Sequence, residues 1–190
     1  MLSNAEGPDA LRTRRLLAVL ERHAFSPSDS IRDIRAALEL GASALGGELV
    51  AAETVAACEA HTRRCFFIRR GELAAADGFI ALLYLNDAGY QALMYGRFRP
   101  EQPDLAHLAA PHERAQAIYV WCLAGREAED KRAVVRAVTE ARRAAFPDIA
   151  LFARPVSREG RMMTAALDAP SAGLAWLGWV PAAAQTAQGG

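Results

Sequence analysis

Three cysteines among 190 residues, Cys58, Cys65 and Cys122, are too few and too irregularly spaced for a disulfide framework. They form no Cys-x-x-Cys pair, which speaks against a thiolate zinc site. An odd number of cysteines without a framework fits a reducing compartment, and the expected location is the cytoplasm. Lysine is nearly missing, because Lys131 stands alone against 21 arginines. An excess of one charge is missing too, since 22 basic residues balance 22 acidic ones. A nucleic-acid partner is therefore not expected, as such binders carry a basic surplus. No apolar run approaches the roughly 20 residues needed to cross a bilayer, so no membrane partner is expected either. The opening residues place acids first and lack an apolar signal core, and no secretory leader is expected.

What is present is apolar mass, with 52% hydrophobic residues, enough for a sizeable core in a chain of one-domain size. Alanine contributes 42 residues. Together with arginine for lysine this is the bias of a GC-rich genome, and it blurs periodicity because alanine suits core and helix surface equally. Residues 8–24 predict an amphipathic helix with Leu11, Leu16, Leu17, Val19 and Leu20 on its apolar stripe. Phe25-Ser26-Pro27 breaks it. A second helix follows from Ser28 or Ser30 as N-cap, with Ile31, Ile34, Ala37 and Leu38 at helical spacing, and stops near the glycines of 41–47. A short third helix is expected over 53–62.

The pattern then turns β-prone. Residues 65–68 and 77–85 predict strands, the first closed by the turn 69–72 and the second by Asn86-Asp87-Ala88-Gly89. Residues 89–95 fit a strand or a short helix equally, and 97–111, with three prolines, read as a loop. Residues 116–124, apolar on both faces, predict a central strand. A long helix over 127–145 places Val134, Val135, Val138 and Ala141 toward the core. Residues 149–153 predict a buried strand, 158–167 a helix and 174–180 a closing strand, before a frayed tail. The expected class is α/β (α+β): a mixed, mostly antiparallel central sheet flanked by helices. The expected domains are a helical extension over 1–46, a main domain over 47–181 and a disordered tail over 182–190.

Several runs carry a family resemblance in that order. Phe66-Phe67-Ile68-Arg69-Arg70-Gly71-Glu72 precedes Asp77-Gly78-Phe79-Ile80. Ile118-Tyr119-Val120-Trp121-Cys122-Leu123-Ala124 precedes the long helix, and Ile149-Ala150-Leu151-Phe152-Ala153 precedes Arg161-Met162-Met163. From 47 to 181 the chain resembles the GNAT superfamily of N-acetyltransferases. The resemblance implies a GNAT-like fold and an acyltransferase that uses acetyl-CoA or another acyl-CoA, or another thioester, to acylate a small-molecule or protein amine. It also implies that backbone amides around Leu123 and Ala124 polarise the thioester carbonyl. In the family, a Gln/Arg-x-x-Gly-x-Gly/Ala loop then cradles the coenzyme A pyrophosphate. Here that stretch reads Gly125-Arg126-Glu127-Ala128-Glu129-Asp130-Lys131-Arg132-Ala133, with one glycine and three acids. Arg126, Lys131 and Arg132 are the residues left to hold a phosphate. The acids alternatively suit an ordinary helix start. Many members place a general-acid tyrosine on the helix after the next strand. None is present there, and Tyr119 on the central strand is the nearest substitute, or else a strand tyrosine with its hydroxyl at the rim. A non-catalytic GNAT-fold ligand-binding or protein-interaction module is the alternative function.

Other groups predict less. His107 and His112, with Asp104 and Glu113, match no ligand spacing, so no metal is expected. His23 and His61 read as helix-end caps, and Cys122 as core filler rather than nucleophile. Thr62-Arg63-Arg64 and Arg69-Arg70 read as solvated strand ends. One of Trp176 and Trp179 is expected in the core. The N-terminal helices are expected to cover the cleft, form a homodimer face or dock on a partner.

Overall fold

The computed structural model describes residues 8–45, 49–71, 76–155, 158, 160–162 and 177–178. In chain order the elements are α1 (Pro8–Arg22), β1 (Phe25–Pro27), α2 (Ile31–Leu45), α3 (Ala52–Thr62), β2 (Phe66–Arg70), β3 (Ala76–Leu85), α4 (Asp87–Met94), β4 (Ala117–Gly125), α5 (Ala128–Ala145), β5 (Ala150–Ala153) and β6 (Leu177–Gly178). The strands form one six-stranded sheet in the order β1-β2-β3-β4-β5-β6. Pairing is antiparallel from β1 to β4 and parallel from β4 through β5 to β6. The chain is α+β, with a mixed, mostly antiparallel sheet. β4 lies between β3 and β5, as its two-sided apolarity predicts.

Alternation along the strands sorts the core into two layers. Phe67, Ile80, Leu82, Tyr84, Ile118, Val120 and Leu151 pack with Leu16, Val19 and Leu20 of α1 and Val134, Val138 and Ala141 of α5. The other face carries Phe66, Ile68 and Phe79 against Ile34 and Ala37 of α2 and Val55 of α3. Farther along it, Leu83, Leu85, Tyr119 and Phe152 meet Ala92 and Leu93 of α4 and Phe98. Helix α1 is clamped at both ends. Arg12 donates two hydrogen bonds to Asp148 at 2.8 Å each, and Arg22 and His23 hold Glu140 on α5.

Four sequence expectations need correction. Phe25-Ser26-Pro27 does end a helix, but it also forms an edge strand against β2. Residues 86–89, expected as a turn, start α4 instead: the Asn86 side chain accepts from the Gly89 amide at 2.9 Å and caps the helix. The basic residues around β2 are solvated only in part: Arg63 and Arg70 are exposed, as expected, and the others are not. Arg64 is fully buried, while Arg69 pairs with Asp130 and Arg70 with Asp33. Neither histidine caps its own helix, because His23 bonds Glu140 and His61 bonds the Leu108 carbonyl at 3.1 Å.

Arg158 and Gly160–Met162 are helical, and Leu177 and Gly178 are the described part of the expected closing strand. The remainder of 163–180, including Trp176 and Trp179, and the tail lie outside the described residues. No described helix is long and apolar enough to cross a membrane.

Candidate functional site: the open edge of β4

β5 is much shorter than β4. Its register runs from Ala117↔Ala150 to Val120↔Ala153 and ends there, whereas β4 continues to Gly125. Among the described residues, positions 121–125 of β4 have β3 on one side and no strand on the other. Successive strand residues aim their peptide groups at opposite neighbours, so this segment offers amides and carbonyls to whatever enters.

The same segment carries an irregularity. Ala81 opposes Cys122 and Leu82 opposes Val120, which leaves Trp121 as an extra residue. Such a bulge bends the strand and re-aims its groups, and bulges gather beside active sites. Side-chain packing records the slip. Trp121 and Cys122, adjacent in sequence, both lie against the α2–α3 core, while Leu123 turns back to the α1–α5 core.

The long connection between α4 and β4 folds onto this edge. The Trp121 Nε1–H donates to the Pro100 carbonyl at 2.8 Å. Phe98 lies 5.5 Å from the Tyr119 ring, centroid to centroid. At its far end the connection is tied to β3, where the Ala109 amide donates to the Tyr84 carbonyl at 2.7 Å. The stretch expected as a loop is therefore an anchored cover, with a single 3-10 turn at Leu105–His107.

Tyr119 is buried one residue before the end of the β4–β5 pairing. Burial pushes its phenol up to about 12, partly opposed by the nearby Arg154 and reinforced by Glu101. It stays protonated at neutral pH, as a proton donor must. Cys122 is half-buried, and burial pushes its thiol up to about 12, which disfavours the thiolate.

The sequence-predicted site residues divide into two groups. Leu123, half-buried, and Ala124, buried, lie on the open edge, and Tyr119 precedes it, still paired with Phe152 of β5. Arg126, Lys131 and Arg132 lie around the start of α5, where the acids already fill the helix terminus. The Glu127 side chain accepts from the amide of Asp130, and Asp130 accepts from the Glu127 amide at 3.0 Å. Asp130 also holds Arg69. Arg126 is turned to β3: its Nε meets Asp77 at 3.2 Å and its terminal nitrogen donates to the Ala76 carbonyl at 2.9 Å. Lys131 is half-buried and Arg132 exposed. Gly125 allows this close fit, because a Cβ there would lie 2.5 Å from the Lys131 nitrogen. A pyrophosphate at this terminus would have to displace two carboxylates, so the residues present do not fit one.

No group of three or more His, Cys, Asp or Glu residues able to hold a metal occurs among the described residues. His107 lies beside Phe98 at 6.5 Å and His112 is exposed.

No protein-family model matches the chain, and no curated protein or solved structure matches it significantly. Trp121, Phe98, Glu101 and Arg154 are the features of this edge that sequence reading missed.

Proposed function

We propose that the chain is a GNAT-like acyltransferase that moves an acyl group from a thioester to an amine. The observation that carries this reading is the bulged end of β4, which outruns β5 and leaves peptide groups without a strand partner among the described residues. An extended donor arm rich in amides can add to such an edge as a further strand does. Its thioester carbonyl would then lie against the outward backbone N–H groups of Leu123 and Gly125, on either side of Ala124, whose own amide faces β3; these stabilise the oxyanion formed during attack. The neutral amine nitrogen bonds to the carbonyl carbon and gives up one proton to solvent, the carbon–sulfur bond breaks, and the leaving thiolate takes a proton. Tyr119, protonated and near the edge, is the residue we assign to supply it.

Acetyl-CoA and other acyl-CoAs remain donors in this scheme only through their thioester and pantetheine parts. The self-capped start of α5 favours donors that need no pyrophosphate grip, such as a carrier-bound thioester. The same capping supports a second reading, a non-catalytic ligand-binding or protein-interaction module that keeps the sheet. Thiol release separates the two. Acetyl-CoA, octanoyl-CoA and acetyl-pantetheine are each incubated with the protein and a primary amine, with a thiol-reactive dye as readout. Protein-dependent release that requires the amine, and is at least as fast with acetyl-pantetheine as with acetyl-CoA, is expected. No release from any donor would overturn the acyltransferase reading.

A further inference from the structure

Where α1 docks on the sheet, hydrogen-bonding capacity is left over that no protein group uses. Asp9 on α1, Arg64 just before β2 and Tyr84 on β3 are each 0% exposed. They touch one another: Arg64 Nη1 lies 3.2 Å from Asp9 Oδ2, and the Arg64 guanidinium lies over the Tyr84 ring at 4.5 Å. Most of their polar atoms are paired. Asp9 Oδ2 accepts from the Ala115 amide at 3.1 Å, and Arg64 donates to Thr13 Oγ1 at 3.0 Å and to the Glu113 carbonyl at 3.4 Å. Three atoms, Asp9 Oδ1, Arg64 Nε and the Tyr84 hydroxyl, have no hydrogen-bond partner in the protein. Arg12 Nε lies 3.6 Å from Asp9 Oδ1, too long for a hydrogen bond.

Buried polar atoms are nearly always paired, so orphans on three touching residues call for a common partner. Their chemistry defines it. Asp9 Oδ1 only accepts, Arg64 Nε–H only donates, and the tyrosine hydroxyl does either. One water molecule can accept from Arg64, donate to Asp9 and meet Tyr84 in either sense, and internal waters typically make about three such bonds. The trio carries one charge of each sign, so it favours neither an anion nor a cation. Room exists beside it. A void of ≈ 10 Å³, close to what one water needs, borders Tyr84 together with Leu16 and Leu20. Leu16 follows Thr13, the Arg64 partner, by one turn on the same face of α1. We propose that Asp9 Oδ1, Arg64 Nε and the Tyr84 hydroxyl bind one internal water molecule, which ties α1 to β3 and to the approach of β2. The water completes the hydrogen bonding of a buried ion pair, which such a pair requires to be stable. It makes this end of α1 a polar, directional contact, where the rest of the helix packs through Leu16, Val19 and Leu20. None of the three residues lies on β4, so the site stands apart from the acyl-transfer reading.

Magnetic resonance of the full chain tests the site in two ways. In an isotope-labelled sample, the Arg64 Nε–H should show a rotating-frame through-space cross-peak to water. The cross-peak should persist in Tyr84→Phe and in Thr13→Val, which remove in turn the two hydroxyls able to relay an exchanging proton. In both variants the water keeps its bonds to the charged Asp9 and Arg64. Relaxation dispersion of the water oxygen sees whole molecules and not exchanging protons. Its amplitude should fall by about one long-lived water in Asp9→Leu/Arg64→Met, which removes two of the three partners. Should that variant not fold, the Arg64 cross-peak decides alone. No cross-peak in the parent, its loss in either hydroxyl variant, or an undiminished amplitude in the folded double variant would overturn the proposal.

Discussion

The pair Asp9–Arg64 offers the sharpest test of how the N-terminal helix is held. Arg64 and Asp9 side chains are both 0% exposed and lie 3.2 Å apart. Arg64 also donates to Thr13 Oγ1 at 3.0 Å, and its guanidinium stacks on the Tyr84 ring at 4.5 Å. Asp9 accepts from the Ala115 amide at 3.1 Å, so α1, the start of β2, β3 and the approach to β4 meet at one buried point. Replacing Asp9 by Ala leaves a buried guanidinium without its counter-charge. Removing one partner of a buried pair costs about 3–5 kcal/mol. Replacing both partners by apolar residues of similar size often costs little, so Asp9→Leu with Arg64→Met should be more stable than Asp9→Ala alone. Urea unfolding followed by circular dichroism measures both. A loss below about 1 kcal/mol for Asp9→Ala, the range of exposed ion pairs, would refute the buried geometry. So would a double variant less stable than the single one.

Further outcomes follow from other sites. Glu59 accepts from the Cys65 and Phe66 amides at 2.6 and 2.8 Å, yet burial pushes its carboxyl up to about 7 from an ordinary 4.5. The native state then binds the extra proton, so stability is fully present below pH 4.5 and falls as pH rises through 7. The fall amounts to at most about 3 kcal/mol, and Glu59→Gln should flatten it in urea titrations across that range. Gly125→Ala should cost about 1–3 kcal/mol, read as a lower urea midpoint, because the added methyl meets the backbone of α5. Tyr119→Phe should keep the unfolding midpoint but slow thiol release about a hundred-fold or more, whereas an unchanged rate would remove Tyr119 from the chemistry. Asp130→Asn should lower stability by about 1–2 kcal/mol through the lost cap and its bond to Arg69, without creating tight CoA binding.

Much of the fold could be read from the chain because its strongest signals are local. Val120 and its neighbours are apolar on both faces, and only an interior strand buries both. The start of α5 was readable for a similar reason, since Glu127 and Asp130 stand three apart at the helix terminus. What escaped sequence reading depends on partners distant in sequence. Arg64 sits among basic residues that look solvated, and its partner Asp9 is on another helix. Edge strand β1 is three residues long and carries no period. Gly89 looks like a turn residue, but it lies inside α4 because the chain at His107 packs there, with room for no Cβ. The bulge at Trp121 is a property of pairing with β3, so composition could not show it. The candidate site was half readable: Leu123 and Ala124 belong to the open edge, and Tyr119 adjoins it. Arg126 is engaged by β3 instead, and Lys131 and Arg132 stand by a terminus that its own carboxylates cap.

The open edge itself is best tested by following the backbone amides of residues 121–125 in an isotope-labelled sample titrated with acetyl-pantetheine. The account predicts saturable shifts concentrated at Leu123 and Gly125, of equal size with acetyl-CoA, and little change at the start of α5. Shifts confined to residues 126–132, or none anywhere along β4 with either thioester, would contradict it.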